Sequence, residues 1–179
     1  HPEIAINNSV RTEAHKETYK IDYEAVFRDI AKGEVSDRGV YRALILNDLF
    51  FIIYFVMGIE KANHPFVVKM CRVVSEGPQT DTLDVWSRFH FKSSILTIAE
   101  TIQFAVKNPE KCTGIFAYSR PAAKKFLRGI KILLEQSELL KFCFPDVLWS
   151  KPEAESPKWS LAIDTPVLTI NGWKKHGDL

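Results

Sequence analysis

Between Leu83 and Ala105 the sequence passes from a short apolar run, through a polar-aromatic turn ending in Lys-Ser-Ser, into an amphipathic helix. Leu83 to Trp86 reads as a buried strand. Ile95, Leu96, Ile98, Ala99, Ile102 and Ala105 recur at the spacing of a helix packed on a sheet. Strand, tight loop, Lys-Ser and helix, in that order, is the layout of a phosphate-binding loop. The chemistry needs the order, because a helix start offers unpaired N–H groups and the positive end of its dipole to an anion. In this reading Lys92 reaches the β and γ oxygens of a triphosphate and the Ser93 hydroxyl ligates Mg²⁺. Against the pattern G-x-x-x-x-G-K-[ST], Trp86 stands in the first glycine slot and Phe91 in the second. A phenylalanine suits the second slot only if the backbone there keeps φ below zero. The competing reading is a plain strand-to-helix turn, with Ser93 or Ser94 as N-cap and Lys92 solvated.

The 179 residues suffice for one domain with a real core. A formal net charge of +2 does not by itself argue for nucleic acid. Cys71, Cys112 and Cys143 are widely spaced within apolar segments, which predicts buried thiols in a reducing compartment rather than a disulfide framework or a zinc site. No signal-peptide pattern is read, and the missing initiator Met suggests a start within a longer protein. Leu44 to Ile59 is about one bilayer span at most and carries Asn47 and Asp48, so it is expected to be a core helix.

Taken in order, residues 1–20 are polar, without periodicity, and expected to be mobile or loosely docked. Residues 21–78 read as a helical subdomain. Asp22 caps a helix from Tyr23 to about Lys32, which Gly33 ends. Ser36-Asp37 opens a long helix to about Met57, apolar all round from Leu49 to Val56; such a helix is either central or part of an interface. A third helix follows Asn63-His64-Pro65, with His64 a loop or capping residue rather than a ligand. Glu76 to Gln79 is a breaker, after which 79–179 reads as α/β. Gly114 to Tyr118 is expected as a second buried strand, and Ala122 to Glu135 as a helix. Strand, helix, strand, helix predicts a parallel sheet flanked by helices. Ser87 to Lys92 and Ser119-Arg120 would then fall on its ligand-binding edge. A short helix from Glu138 to Phe144 and two edge strands within Trp159–Asn171 complete the expectation.

Several blocks strengthen the phosphate-loop reading. "LDVWSRFHFKSSILTIAETIQ", then "GIFAYSRPAAKKFLRGIK" and "FPDVLWSKPEAESPKWS", resemble the large terminase subunit of tailed bacteriophages and prophages, the ATPase that packages DNA into procapsids. The upstream "NDLFFIIYFVMGIEKANHPFVVKMCRVVSEGP" is similar to the helical segment ahead of the ATPase core in one branch of that family. The resemblance implies an ASCE-type P-loop NTPase fold with ATP and Mg²⁺ as cofactors, and a Walker A loop that often lacks glycines. Nucleotide binding would fall to Ser87, Arg88, Phe89, His90, Phe91, Lys92, Ser93 and Ser94, with Ser93 on the metal. Arg88, four residues before the Lys, matches the family's candidate for a γ-phosphate sensor or arginine finger. Ser119, Arg120 and Lys124 resemble the segment near the DNA path in related motors. The implied partners are double-stranded DNA, a portal protein and a small terminase subunit, in a ring on the portal within the cytoplasm of the bacterial host.

The chain departs from the family where Walker B should stand. Leu161-Ala162-Ile163-Asp164 is the nearest imitation, but Thr165-Pro166 follows, and Asp164 is not taken as a metal ligand. A truncated ATPase core is therefore expected, without Walker B or the nuclease domain, able to bind nucleotide and inactive in hydrolysis by itself. Two alternatives stay open. One is a non-enzymatic module docking a partner through Leu49–Val56, with a vestigial loop; the other is a different P-loop enzyme such as a helicase. Lys124, Lys125, Arg128 and Lys131 would face DNA phosphates or form a solvated helix face.

Overall fold

Local capping signals decide where the helices of this protein begin. The structure, a computed structural model, describes residues 21–34, 36–77, 86–111 and 113–151. These residues form two compact units, one up to Ala99 and the other from Glu100 onward.

In the first unit, α1 spans Tyr23–Ala31, and Asp22 caps it by accepting from the Ala25 N–H at 3.2 Å. Gly33 closes it with φ +74, a left-handed turn that glycine makes without a Cβ penalty. Helix α2, Asp37–Asn47, starts at the Ser36 cap. The single helix expected from Ser36 to Met57 is two. Asp48 takes an extended backbone, and its side chain caps a new helix, α3, by accepting from the Phe50 N–H at 2.9 Å. Helix α3 covers Leu49–Phe51 and runs on as a π-helix over Ile52–Val56, bent by 108° from α2.

Leu49 to Ile53 are almost wholly buried, so this apolar stretch is the centre of its unit rather than an exposed docking face. Tyr23, Phe27 and Tyr41 from α1 and α2 meet Phe51 and Phe55 in a network of ring contacts 4.6–6.3 Å between centroids. Aromatic pairs of this kind add to the area they bury. Helix α4, Pro65–Glu76, packs on α3 and buries Val67, Val68 and Cys71. His64 caps α4, accepting from the Phe66 N–H at 3.1 Å through Nδ1. No single helix among the described residues is long and apolar enough to cross a membrane.

The last helical stretch of this unit, a π-helix over Ser93–Ala99, packs against the π-helix of Ile52–Val56. In the second unit, α5 spans Glu100–Lys107, α6 Arg120–Gln136 and α7 Glu138–Cys143. Helix α6 packs on α5 and on α7. Ile102, Ile130, Leu134, Leu140, Phe144 and Leu148 fill the core between them.

The expected parallel sheet is not found. The described residues are mostly helical and contain no strand, which also removes the sheet edge on which Ser87–Lys92 and Ser119-Arg120 were to meet. Gly114 to Tyr118 is neither helical nor paired into a sheet, and Phe116 and Tyr118 are 96% and 97% exposed. A strand is stabilised by its neighbours, through ladder hydrogen bonds and same-face packing, and this run has neither among the described residues. Trp86 is irregular. Leu83 to Val85, the polar residues 1–20, the edge strands within Trp159–Asn171 and Asp164 lie outside the described residues.

Candidate functional site

The segment from Ser87 to Ser94 is a tight, exposed turn leading directly into a helix. Arg88 and Phe89 form the turn, His90 and Phe91 bend the chain, and Lys92 enters the helix. The Ile95 N–H donates to the Phe91 carbonyl at 2.9 Å and closes the first helical turn. The N–H groups of Lys92, Ser93 and Ser94 precede that bond and have no acceptor within the helix. Neither serine is an N-cap, because both lie inside the helix itself. The capping reading of this turn therefore holds for neither serine. The other long helices carry side-chain caps at Asp22, Ser36, His64 and Ser119.

Phe91 has φ +57, and Phe89, two residues earlier, has φ +65. The condition that φ at Phe91 stay below zero is not met. The backbone takes at the second glycine slot the left-handed form that glycine adopts without strain, with a phenylalanine in place. Left-handed backbone costs an L-residue roughly 1–2 kcal/mol. Strain of this kind persists where surrounding structure holds it, and here one support is visible. The His90 ring meets Phe66, at the start of α4, edge to face at 5.2 Å. Its Nδ1 lies 2.8 Å from the Arg88 carbonyl, which fixes Nδ1 as the donor and leaves Nε2 as the ring's other polar atom. The ring therefore joins the turn to α4 while holding the backbone of Arg88.

Ser87, Arg88, Phe89 and His90 are exposed, Phe91, Lys92 and Ser94 half-buried, and Ser93 exposed. Among the described residues neither Arg88 nor Lys92 is engaged in an ion pair, so two cations stand four positions apart on either side of the strained turn. The donor set is chemically suited to a polyphosphate: two cations, three N–H groups at a helix start and the Ser93 hydroxyl. Among the described residues no cluster of His, Cys, Asp and Glu is arranged to hold a metal ion. An Mg²⁺ at Ser93 would take its other oxygens from phosphate and water.

The residues proposed near DNA belong to the second unit. The Ser119 hydroxyl caps α6, accepting from the Ala122 N–H at 3.4 Å, so its role is structural in this state. Arg120 is exposed at the first position of α6, and Lys124 is half-buried. Lys125 and Arg128 lie on the exposed face. Lys131 is turned inward and pairs with Glu135 at 3.7 Å, with only 11% and 12% of the two side chains exposed. What the sequence reading missed at the turn was the contact of His90 with Phe66. The two are 24 positions apart, and no local pattern joins them.

Compared with protein-family models, with curated proteins and with solved structures, the chain matches none.

Proposed function

We propose that the turn from Arg88 to Ser94 is a triphosphate-binding loop and that the protein is the nucleotide-binding part of a viral DNA-packaging ATPase of the large-terminase type. The observation that carries this reading is the start of the helix at Lys92. Three N–H groups lack helical acceptors there, beside Lys92 and Arg88, behind a turn whose second glycine slot has left-handed backbone. The resemblance of this and the surrounding sequence blocks to that family supports it. The proposal does not carry a parallel sheet with it.

Lys92 neutralises the β and γ oxygens, the N–H groups of Lys92 to Ser94 bind phosphate at the positive end of the helix, and Ser93 contributes a hydroxyl to Mg²⁺. Arg88, exposed, stabilises the charge that develops on the transferring phosphoryl group. His90 holds the turn through its contacts with Phe66 and the Arg88 carbonyl, which leaves Nε2 for a phosphate oxygen.

Calorimetric titration of Mg-ATPγS into the protein tests the reading, with Lys92→Ala as control. Saturable heat that disappears in the variant, with folding unchanged by circular dichroism, is expected. Equal heat in both proteins would remove the assignment.

A further inference from the structure

A second feature belongs to the second unit and is not used by the phosphate loop. From Lys111 through Leu134 the sequence holds six cations and no carboxylate side chain. Within it, Phe116 and Tyr118 are 96% and 97% exposed. They are two residues apart in a non-helical segment that leads into α6 through Ser119, whose backbone is extended. The Phe116 ring is laid back over Gly114, so close that a Cβ there would lie 3.0 Å from it. The chain bends at Tyr118 and Ser119, just before α6 begins. Further along, Lys125 and Arg128 stand on the exposed face of α6 with no ion-pair partner among the described residues.

We propose that this aromatic segment and the exposed face of α6 form a binding surface for single-stranded nucleic acid. The rings of Phe116 and Tyr118 stack on bases, and Lys125 and Arg128 neutralise the phosphates alongside. Each half of the surface fits that ligand. A base has a π-face whatever its identity, and an exposed ring takes it without a shaped pocket. A duplex keeps its bases stacked on one another and offers these rings no face. A lipid surface is the poorer fit, because the exposed stripe of α6 (Pro121, Lys125, Arg128, Ile132, Gln136) has no continuous apolar side to bury.

Fluorescence anisotropy with a labelled oligothymidylate of about 15 nucleotides, an equally long duplex, and anionic vesicles as a separate arm tests the proposal. The single strand is expected to bind at least about ten-fold more tightly than the duplex. Phe116→Ala and Tyr118→Ala should each weaken it about ten-fold, as base–aromatic stacking predicts. Lys125→Gln and Arg128→Gln should each reduce the slope of log affinity against log salt by about 0.7. All four side chains are exposed or surface-facing, so the variants keep the fold. Lys92→Ala should leave this binding untouched, which separates its fate from that of the phosphate loop. Equal affinity for strand and duplex with silent ring truncations, binding to vesicles alone, or no binding to any arm would each overturn it.

Discussion

The Tyr23 hydroxyl donates a hydrogen bond to Oδ2 of Asp48, twenty-five positions along the chain, and both residues are buried. The same carboxyl group caps α3 through its other oxygen. One buried acidic side chain thus ends α2, starts α3 and ties both to α1. A buried carboxyl group must have its oxygens satisfied, and here the tie and the cap do that together.

Removing both partners should therefore cost less than the sum of removing each alone. Tyr23→Phe takes away one donor and leaves the carboxyl group under-satisfied, with an expected loss of about 1–3 kcal/mol. Asp48→Ala removes the cap as well and should cost at least as much. Urea denaturation of the two single variants and the double variant measures this. A double-variant loss equal to the sum of the singles would show that the hydrogen bond contributes nothing.

Phe89 offers a clean measure of the strain in the loop. Its ring is 97% exposed and its φ is +65, so truncation sacrifices no buried area. Phe89→Gly should stabilise the protein by about 1 kcal/mol, the left-handed penalty less the added freedom of the unfolded chain. Phe89→Val, branched at Cβ, should destabilise. A glycine variant less stable than the parent in urea would remove the assignment of strain here.

The two cations of the loop should separate kinetically. Lys92→Ala is expected to abolish nucleotide binding. Arg88→Ala should retain binding by calorimetry and lose phosphate release by at least about a thousand-fold in a form of the protein that hydrolyses ATP, the range seen for arginine fingers. An Arg88→Ala enzyme with full turnover would assign that residue to the solvent.

Cys71 is buried, and its thiol is held far above its ordinary range, first by burial and then by the nearby charge of Asp48. In the unfolded chain the thiol ionises near its ordinary value of 9.0. Above that pH the unfolded state binds fewer protons than the folded state, so stability falls as pH rises, by up to about 1.4 kcal/mol for each pH unit. Denaturation at pH 8, 9 and 10 should show the decline, with a smaller slope in Cys71→Ala. The native thiol should also resist alkylation across this range.

Local chemistry explains what was legible in the sequence. The Asp22, Ser36 and His64-Pro65 starts and the Gly33 stop are each decided by a few adjacent residues, and each appears where the sequence places it. Helix α5 likewise ends at Lys107, where Asn108-Pro109 forms a local stop. The break at Asp48 was not, since an acidic residue in an apolar run reads as a blemish until burial makes it a cap. Gly114–Tyr118 failed differently. Four apolar residues in a row after a glycine specify a preference for burial but not the partner that provides it, and partners are non-local. At the loop, the helix that starts at Lys92 could be read from the apolar spacing that follows it, whereas the left-handed backbone of Phe91 runs against the residue's own preference.

The two π-helical stretches have a consequence for how this chain tolerates change in length. Each closes its backbone rings one residue later than an α-helix does, so each holds a surplus residue within a packed element. Deleting one residue from Ile52–Val56 would let that stretch tighten to α geometry with its flanking faces still in register. The same deletion within α2 would rotate everything beyond it by about 100° and turn Tyr41 or Leu44 out of the core. Single-residue deletions should accordingly be absorbed at the π-stretches and rejected one helix away, which makes these stretches the slack of this protein.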